Sequence, residues 1–96
     1  MLTRIYLGLP DHPDQVAIES LEDKLVEQVG GFTFFSGIGA WKDNTGQVIK
    51  EPVYVYEVVH EPHDSSPVCE FAYRMRELLQ QKEVLIITIP ATRGET

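Results

Sequence analysis

The chain has 96 residues with 43% hydrophobic content, which suits one small domain with a single core. Its formal charge is −7 and its eight lysines and arginines are scattered, so we expect neither an extended nucleic-acid surface nor a membrane partner, although a pocket for one small anionic ligand remains compatible. No run of residues approaches the roughly 18 apolar residues of a membrane span. The single cysteine, Cys69, excludes an intrachain disulfide and favours a reducing, cytoplasmic location.

The first strand and helix follow from the spacing of apolar residues. Residues 3–9 alternate between apolar and other side chains, which predicts a strand. Residues 11–14 combine a proline with acidic residues and predict a loop and a helix start. In the helix that follows, apolar and acidic residues are predicted to lie on opposite faces. The apolar face contains Ile18, Leu21, Leu25 and Val29, and the face toward water contains Glu19, Glu22, Asp23 and Glu27. Gly30 and Gly31 are predicted to end this helix.

The stretch from Gly30 to His60 predicts a β-hairpin, because both arms are rich in aromatic and β-branched residues. Between the arms, residues 43–46 (DNTG) predict a type I turn with a glycine bulge. Gly37 and Gly39 lie within the first arm. Two glycines at this spacing favour a bulge that bends the hairpin, and the alternative is a segment that cradles a ligand.

A second helix and a last strand complete the pattern. Ser66 and Pro67 are predicted to start the helix, and Lys82 and Glu83 to end it. Cys69 is expected to be a small buried apolar residue of this helix. Residues 84–89 (VLIITI) form a continuous apolar run, which predicts a strand that is buried on both faces.

The resulting order is strand, helix, strand, strand, helix, strand. It predicts an α+β, ferredoxin-like βαββαβ domain over residues 1–96, with a four-stranded antiparallel sheet and both helices on one face. The strands carry apolar side chains on both faces: Phe34 and Ile38 lie opposite Phe35 and Trp41. Two helices cover only one face, so we expect a homo-oligomer whose subunits cover the other.

Few residues point to catalysis or metal binding. His60 and His63 are weak candidates for metal ligands, and a solvated loop is the alternative. The sequence has no nucleophile with a visible base, no phosphate-binding loop and no cofactor motif. No catalytic residue and no cofactor is therefore predicted. An alternative is a small enzyme with a cavity between sheet and helices, in which Glu51, Glu57 or a histidine performs acid–base chemistry.

The order of strands, the segment Gly37-Ile38-Gly39 and the ending Thr92-Arg93-Gly94-Glu95 resemble the PII signalling proteins. The resemblance implies a trimer that binds adenine nucleotides in clefts between subunits, with Gly37 and Gly39 lining the cleft and Arg93 reaching a phosphate. PII proteins have a glycine-rich loop where this chain has residues 80–83, and a longer T-loop. The trimeric CutA family is a further resemblance, and the pattern of residues 31–51 is similar to a small bacterial family of unknown function.

The residues and the resemblance together predict a non-enzymatic module that binds a small anionic or nucleotide-like ligand between subunits, for signalling or sequestration. The predicted site contains Gly37, Gly39, Trp41, Lys42 and Arg93. Trp41 offers a flat surface for a base, and the two cations offer charge for a phosphate. The alternative is that Trp41 packs between subunits and Arg93 belongs to a loose tail.

Overall fold

The computed structural model describes residues 1–92, which form four strands and two helices. They are β1 (Leu2–Gly8), α1 (Gln15–Val29), β2 (Thr33–Lys42), β3 (Val48–Val59), a short 3₁₀ turn (Pro62–Asp64), α2 (Ser65–Leu78) and β4 (Leu85–Ile89). The strands pair antiparallel in the order β2-β3-β1-β4. Both helices pack on one face of this sheet, so the predicted ferredoxin-like fold is confirmed. Within residues 1–92, no helix is long and apolar enough to span a bilayer.

The core lies between the helices and every second residue of the central strands. On β1 the buried residues alternate as the pleat requires, with Ile5 and Leu7 directed at the helices. Tyr56 of β3 has no exposed surface and lies among aromatic rings from β2 and α2. Its hydroxyl donates a 2.6 Å hydrogen bond to Glu22 of α1. The prediction that Glu22 faces only water is therefore wrong, because a buried hydroxyl requires an acceptor.

The sequence predicts the ends of α1 correctly and the ends of α2 incorrectly. Asp14 caps α1 by accepting from the Ala17 amide, and Gly30 ends the helix with φ 99°, as predicted. The predicted start of α2 at Ser66 is wrong, because the 3₁₀ turn leads directly into a helix that begins at Ser65. Its predicted end at residues 82–83 is also wrong, because α2 stops at Leu78.

The β2–β3 hairpin is longer than the rest of the sheet. Gly46 has φ 84° and its amide donates to the Asp43 carbonyl, which confirms the predicted type I turn with a left-handed glycine. The two arms pair one to one from Thr33 to Lys42, so the predicted bulge at Gly37 and Gly39 is absent. β1 pairs only with residues 53–59 of β3. Residues 48–52 and their partners on β2, residues 38–42, therefore project from the sheet as a two-stranded ribbon.

The face of the sheet opposite the helices is largely apolar and is called the open face below. Among its side chains are Arg4, Tyr6, Phe35, Trp41, Val53, Val55, Glu57, Leu85, Ile87 and Ile89. Phe35 is 51% exposed and Leu85 is 57% exposed. The prediction that the last strand is buried on both faces is wrong for this chain alone, because β4 is an edge strand with one face open. Cys69 is also exposed, since it lies beside the buried stripe of α2 rather than on it.

Candidate functional site

A groove of about 700 Å³ lies at one end of the open face. It is formed where the end of β1, the projecting hairpin and the loop between α2 and β4 come together. Its main lining residues are Tyr6, Gly8, Trp41, Glu51, Val53 and the loop residues 80–83. Since strands β1, β2 and β3 each contribute residues, only the folded sheet assembles this groove.

Trp41 provides an aromatic surface in the groove, and Gly39 makes room for it. A Cβ atom at Gly39 would lie 2.9 Å from Cζ3 of Trp41 and 3.0 Å from Cγ1 of Val53. The indole therefore rests on the backbone of Gly39, two residues away on the same face of β2. Trp41 is 44% exposed, so part of its ring remains available to a ligand.

Replacing Gly39 with alanine should displace the indole, whereas Gly37→Ala should not. A Cβ at Gly37 meets nothing closer than Val53 Cγ2 at 4.0 Å, which is ordinary contact. Trp41 is the only tryptophan, so its emission reports the displacement directly. We expect a shifted emission maximum and a loss of about 1–3 kcal/mol in unfolding free energy for Gly39→Ala. Equal spectra and equal urea midpoints for the two variants would contradict this account of Gly39.

Gly8 makes a second space, into which two polar side chains project. A Cβ at Gly8 would lie less than 3.0 Å from an oxygen of Glu51 and from the amide oxygen of Gln81. Gln81 Nε2 donates to the Leu79 carbonyl at 3.1 Å, which directs Gln81 Oε1 toward Gly8. A carboxylate oxygen and an amide oxygen thus converge above the end of β1.

The loop that carries Gln81 has an unusual backbone. Gln80 has φ 55°, the left-handed conformation that glycine normally supplies after a helix. The Gln81 amide donates to the Arg76 carbonyl at 3.0 Å, and the Gln80 amide donates to the Glu77 carbonyl at 3.1 Å. A side chain in this conformation costs about 1 kcal/mol relative to glycine. The two hydrogen bonds hold the loop against the groove in spite of that cost.

The charges in the groove are mainly negative. Glu51 and Glu83 contribute carboxylates, and Lys82 is the one cationic side chain among the described lining residues. The groove therefore offers little to a phosphate group and more to a neutral or positively charged ligand.

The structure brings together only part of the predicted site. Gly37, Gly39 and Trp41 share the open face of β2, with Trp41 in the groove. Lys42 follows Trp41 directly and lies on the opposite face of the strand. Arg93 lies outside the described residues. Gly8 and Gln81 were not predicted as site residues from the sequence, and Glu51 was predicted only as a candidate base.

The other candidate residues lie away from the groove. Glu57 pairs on the open face with Arg4, whose Nε donates to it at 2.8 Å. His60 is buried and both of its ring nitrogens are engaged: Nε2 is 2.7 Å from the Thr3 hydroxyl, and Nδ1 is 2.8 Å from the Glu61 carbonyl. Because a carbonyl only accepts, neutral His60 carries its proton on Nδ1 and Thr3 donates to Nε2.

His63 is exposed and lies 3.7 Å from Asp64. No group of three or more histidine, cysteine, aspartate or glutamate side chains within residues 1–92 is placed to hold a metal ion.

No protein-family model and no curated protein matches this sequence. Solved structures do match. A phage SAM lyase in complex with S-methyl-5′-thioadenosine superposes with a TM-score of 0.67 at 16% identity, over 88% of this chain and 76% of the lyase. The periplasmic divalent cation tolerance protein CutA from Archaeoglobus fulgidus gives a TM-score of 0.66 at 16% identity, over 99% of this chain and 88% of CutA. The divalent cation tolerance protein from Thermus thermophilus gives a TM-score of 0.63 at 14% identity, over 99% of this chain and 88% of that protein. The predicted PII-like, CutA-type resemblance is therefore confirmed at the level of the fold, which this chain shares with the CutA proteins.

Proposed function

We propose that this protein is a homo-oligomeric, non-enzymatic module that binds a nucleoside-type ligand in the groove, for signalling or sequestration. The observation that carries the proposal is the indole of Trp41, held over Gly39 with part of its ring exposed beside the polar groups of the groove. A flat ring stacked on an aromatic side chain contributes about 1–3 kcal/mol to binding, whatever its pattern of hydrogen-bonding groups.

Two likenesses support a nucleoside as the ligand. The phage SAM lyase, which has the same fold, binds S-methyl-5′-thioadenosine. The PII resemblance adds binding of adenine nucleotides in clefts between subunits. The charges of the groove favour a nucleoside over a nucleotide, because two carboxylates, Glu51 and Glu83, face one cation, Lys82, and would repel a phosphate group.

The open face supports the oligomer. It exposes large apolar side chains from β2 and β4, and a second subunit would remove them from water at about 25 cal/mol per Å² of apolar surface. The PII and CutA resemblances favour a trimer, and a dimer is the alternative. Because the groove opens at the border of the open face, subunits that cover this face would approach the ligand site.

Titration of S-methyl-5′-thioadenosine into the protein tests the binding function, with Trp41 emission and calorimetry as readouts. We expect saturable binding in the wild type and an affinity reduced by about 5–150-fold in Trp41→Ala, the equivalent of 1–3 kcal/mol. Tyr73→Ala is the matched control, since Tyr73 is a half-exposed aromatic residue on α2 outside the groove. Absence of heat, or equal affinity in wild type and Trp41→Ala, would contradict the proposal.

One observation favours the enzymatic alternative. The carboxylate of Glu51 reaches into the groove, where a general acid or base would have to lie, and one protein of this fold is a SAM lyase. Incubating the purified protein with SAM and separating the products by chromatography distinguishes the two functions. Turnover that disappears in Glu51→Gln while ligand binding persists would establish the enzyme in place of the binding module.

A further inference from the structure

Two hydrogen-bond acceptors face each other at the inner end of the groove. The oxygens of Glu51 and Gln81 approach the same point above Gly8. Gln81 is not free to present its amide nitrogen there, because Nε2 already donates to the Leu79 carbonyl. Neither oxygen takes part in the side-chain hydrogen bonds formed within residues 1–92, in which Gln81 donates only through Nε2. Two convergent acceptors without a shared donor leave hydrogen-bonding capacity that a ligand can fill.

The surroundings add negative charge rather than neutralise it. Glu51 is partly buried beside Gly8, and Glu83 lines the same groove. Lys82, the adjacent cation, is exposed. A donor that carries a positive charge is the group best stabilised at this position, because charge-assisted hydrogen bonds are about twice as strong as neutral ones.

We propose that Glu51 and Gln81 bind a positively charged donor group, so that the groove selects a cationic nucleoside over a neutral or anionic one. The inference rests on the proposed function, which places the flat ring of the ligand against Trp41. Gly8 determines this selectivity indirectly, since only a residue without a Cβ lets the two oxygens reach the same point. A phosphate in the same place meets two acceptors and a like charge.

Three adenosines that differ only at the 5′ position test this selectivity. They are 5′-amino-5′-deoxyadenosine, which is cationic at pH 6.5, adenosine, which is neutral, and AMP, which is anionic. Titrated into the unmodified protein by calorimetry, the cation should bind at least tenfold more tightly than adenosine, and AMP should bind most weakly. In Glu51→Gln the ratio between the affinities for the cation and for adenosine should fall toward one.

Two further variants separate a local effect from a general one. Glu19→Gln makes the same change in net charge on the exposed surface of α1, and it should leave the ratio unchanged. Gly8→Ala should lower the ratio while circular dichroism shows an intact fold, because its Cβ displaces only the flexible ends of two side chains.

The outcomes distinguish the two proposals. Equal affinity for all three compounds, or a ratio that Glu51→Gln leaves unchanged, would overturn the selectivity and leave nucleoside binding intact. Tighter binding of AMP than of adenosine would also overturn it. Failure of all three compounds to bind would overturn both proposals.

Discussion

Replacing Tyr56 with alanine should lower the free energy of unfolding by about 3–5 kcal/mol, the loss typical of a buried aromatic side chain. The ring of Tyr56 is fully buried, with centroids 5.0 Å from Phe71, 5.2 Å from Phe34 and 5.3 Å from Phe32. It joins β2, β3 and α2 in one cluster, so its removal leaves a cavity that no single neighbour can fill. Small domains have only about 5–15 kcal/mol of total stability.

Urea denaturation followed by circular dichroism measures this loss. Tyr73→Ala is the control, because Tyr73 is half exposed and lies outside the buried core, with the Arg76 guanidinium carbon 5.6 Å from its ring centroid. We expect less than about 1 kcal/mol for Tyr73→Ala. If the two alanine variants unfolded at the same urea concentration, the central role assigned to Tyr56 would be wrong.

Tyr56→Phe separates the hydroxyl from the ring. The free energy of unfolding should fall by about 1.5 kcal/mol, because the lost hydroxyl donates to a carboxylate and Glu22 can then be hydrated by water.

Burial and the hydrogen bond to Glu22 raise the pKa of Tyr56 above its usual 10. Above pH 10 the unfolded chain releases this proton while the folded chain keeps it, so the wild type loses stability as pH rises. Tyr56→Phe lacks this component and should show a shallower decline.

If the protein is the homo-oligomer proposed above, replacing Phe35 with glutamate should dissociate it. Phe35 is 51% exposed on the open face, and burying one large apolar side chain contributes about 1.5–3 kcal/mol, or roughly 10-fold to 150-fold in affinity for each interface. A buried, unpaired carboxylate adds a further penalty. Light scattering at micromolar concentration should then give a mass near the 10.9 kDa of one chain.

Val16→Glu is the matched control for assembly. Val16 is 80% exposed, but it lies on α1, on the helix side of the sheet. The same substitution there should leave the mass of the oligomer unchanged. A wild-type protein that is already monomeric, or a Val16→Glu variant that dissociates like Phe35→Glu, would argue against the open face as the interface.

Local patterns were sufficient to predict the fold. The change of apolar spacing from two to 3.6 and back located each strand and helix, and Asp43 and Gly46 defined the hairpin turn. Errors arose where tertiary contacts decide the outcome. Glu22 is acidic and lies on a helix, and nothing in its neighbours along the chain indicates that Tyr56 will donate to it. The prediction that residues 84–89 are buried on both faces was wrong because a continuous apolar run does not show which face the helices cover.

The candidate site was only partly predictable for a related reason. Trp41 and Gly39 are two residues apart, and strand alternation places them on one face. The same alternation places Lys42 on the opposite face. The prediction had grouped Lys42 with Trp41 because the two residues are adjacent in sequence. Gly8 and Gln81 are brought to Glu51 by the pairing of β1 with β3 and by the left-handed turn at Gln80. Neither the register nor this turn is encoded in a short motif.

The position of β1 has a consequence for how the protein forms during translation. β1 is synthesised before the other three strands, yet it lies inside the sheet and pairs with residues 53–59 and 85–89. Both partners leave the ribosome later, and β4 emerges after the whole of α2. The β2–β3 hairpin can form early from neighbouring residues, while β1 keeps unpaired backbone groups until the final strand arrives. One edge of β1 therefore stays open to mispairing until the last of these strands is made, and a chaperone that shields this edge until then should raise the yield.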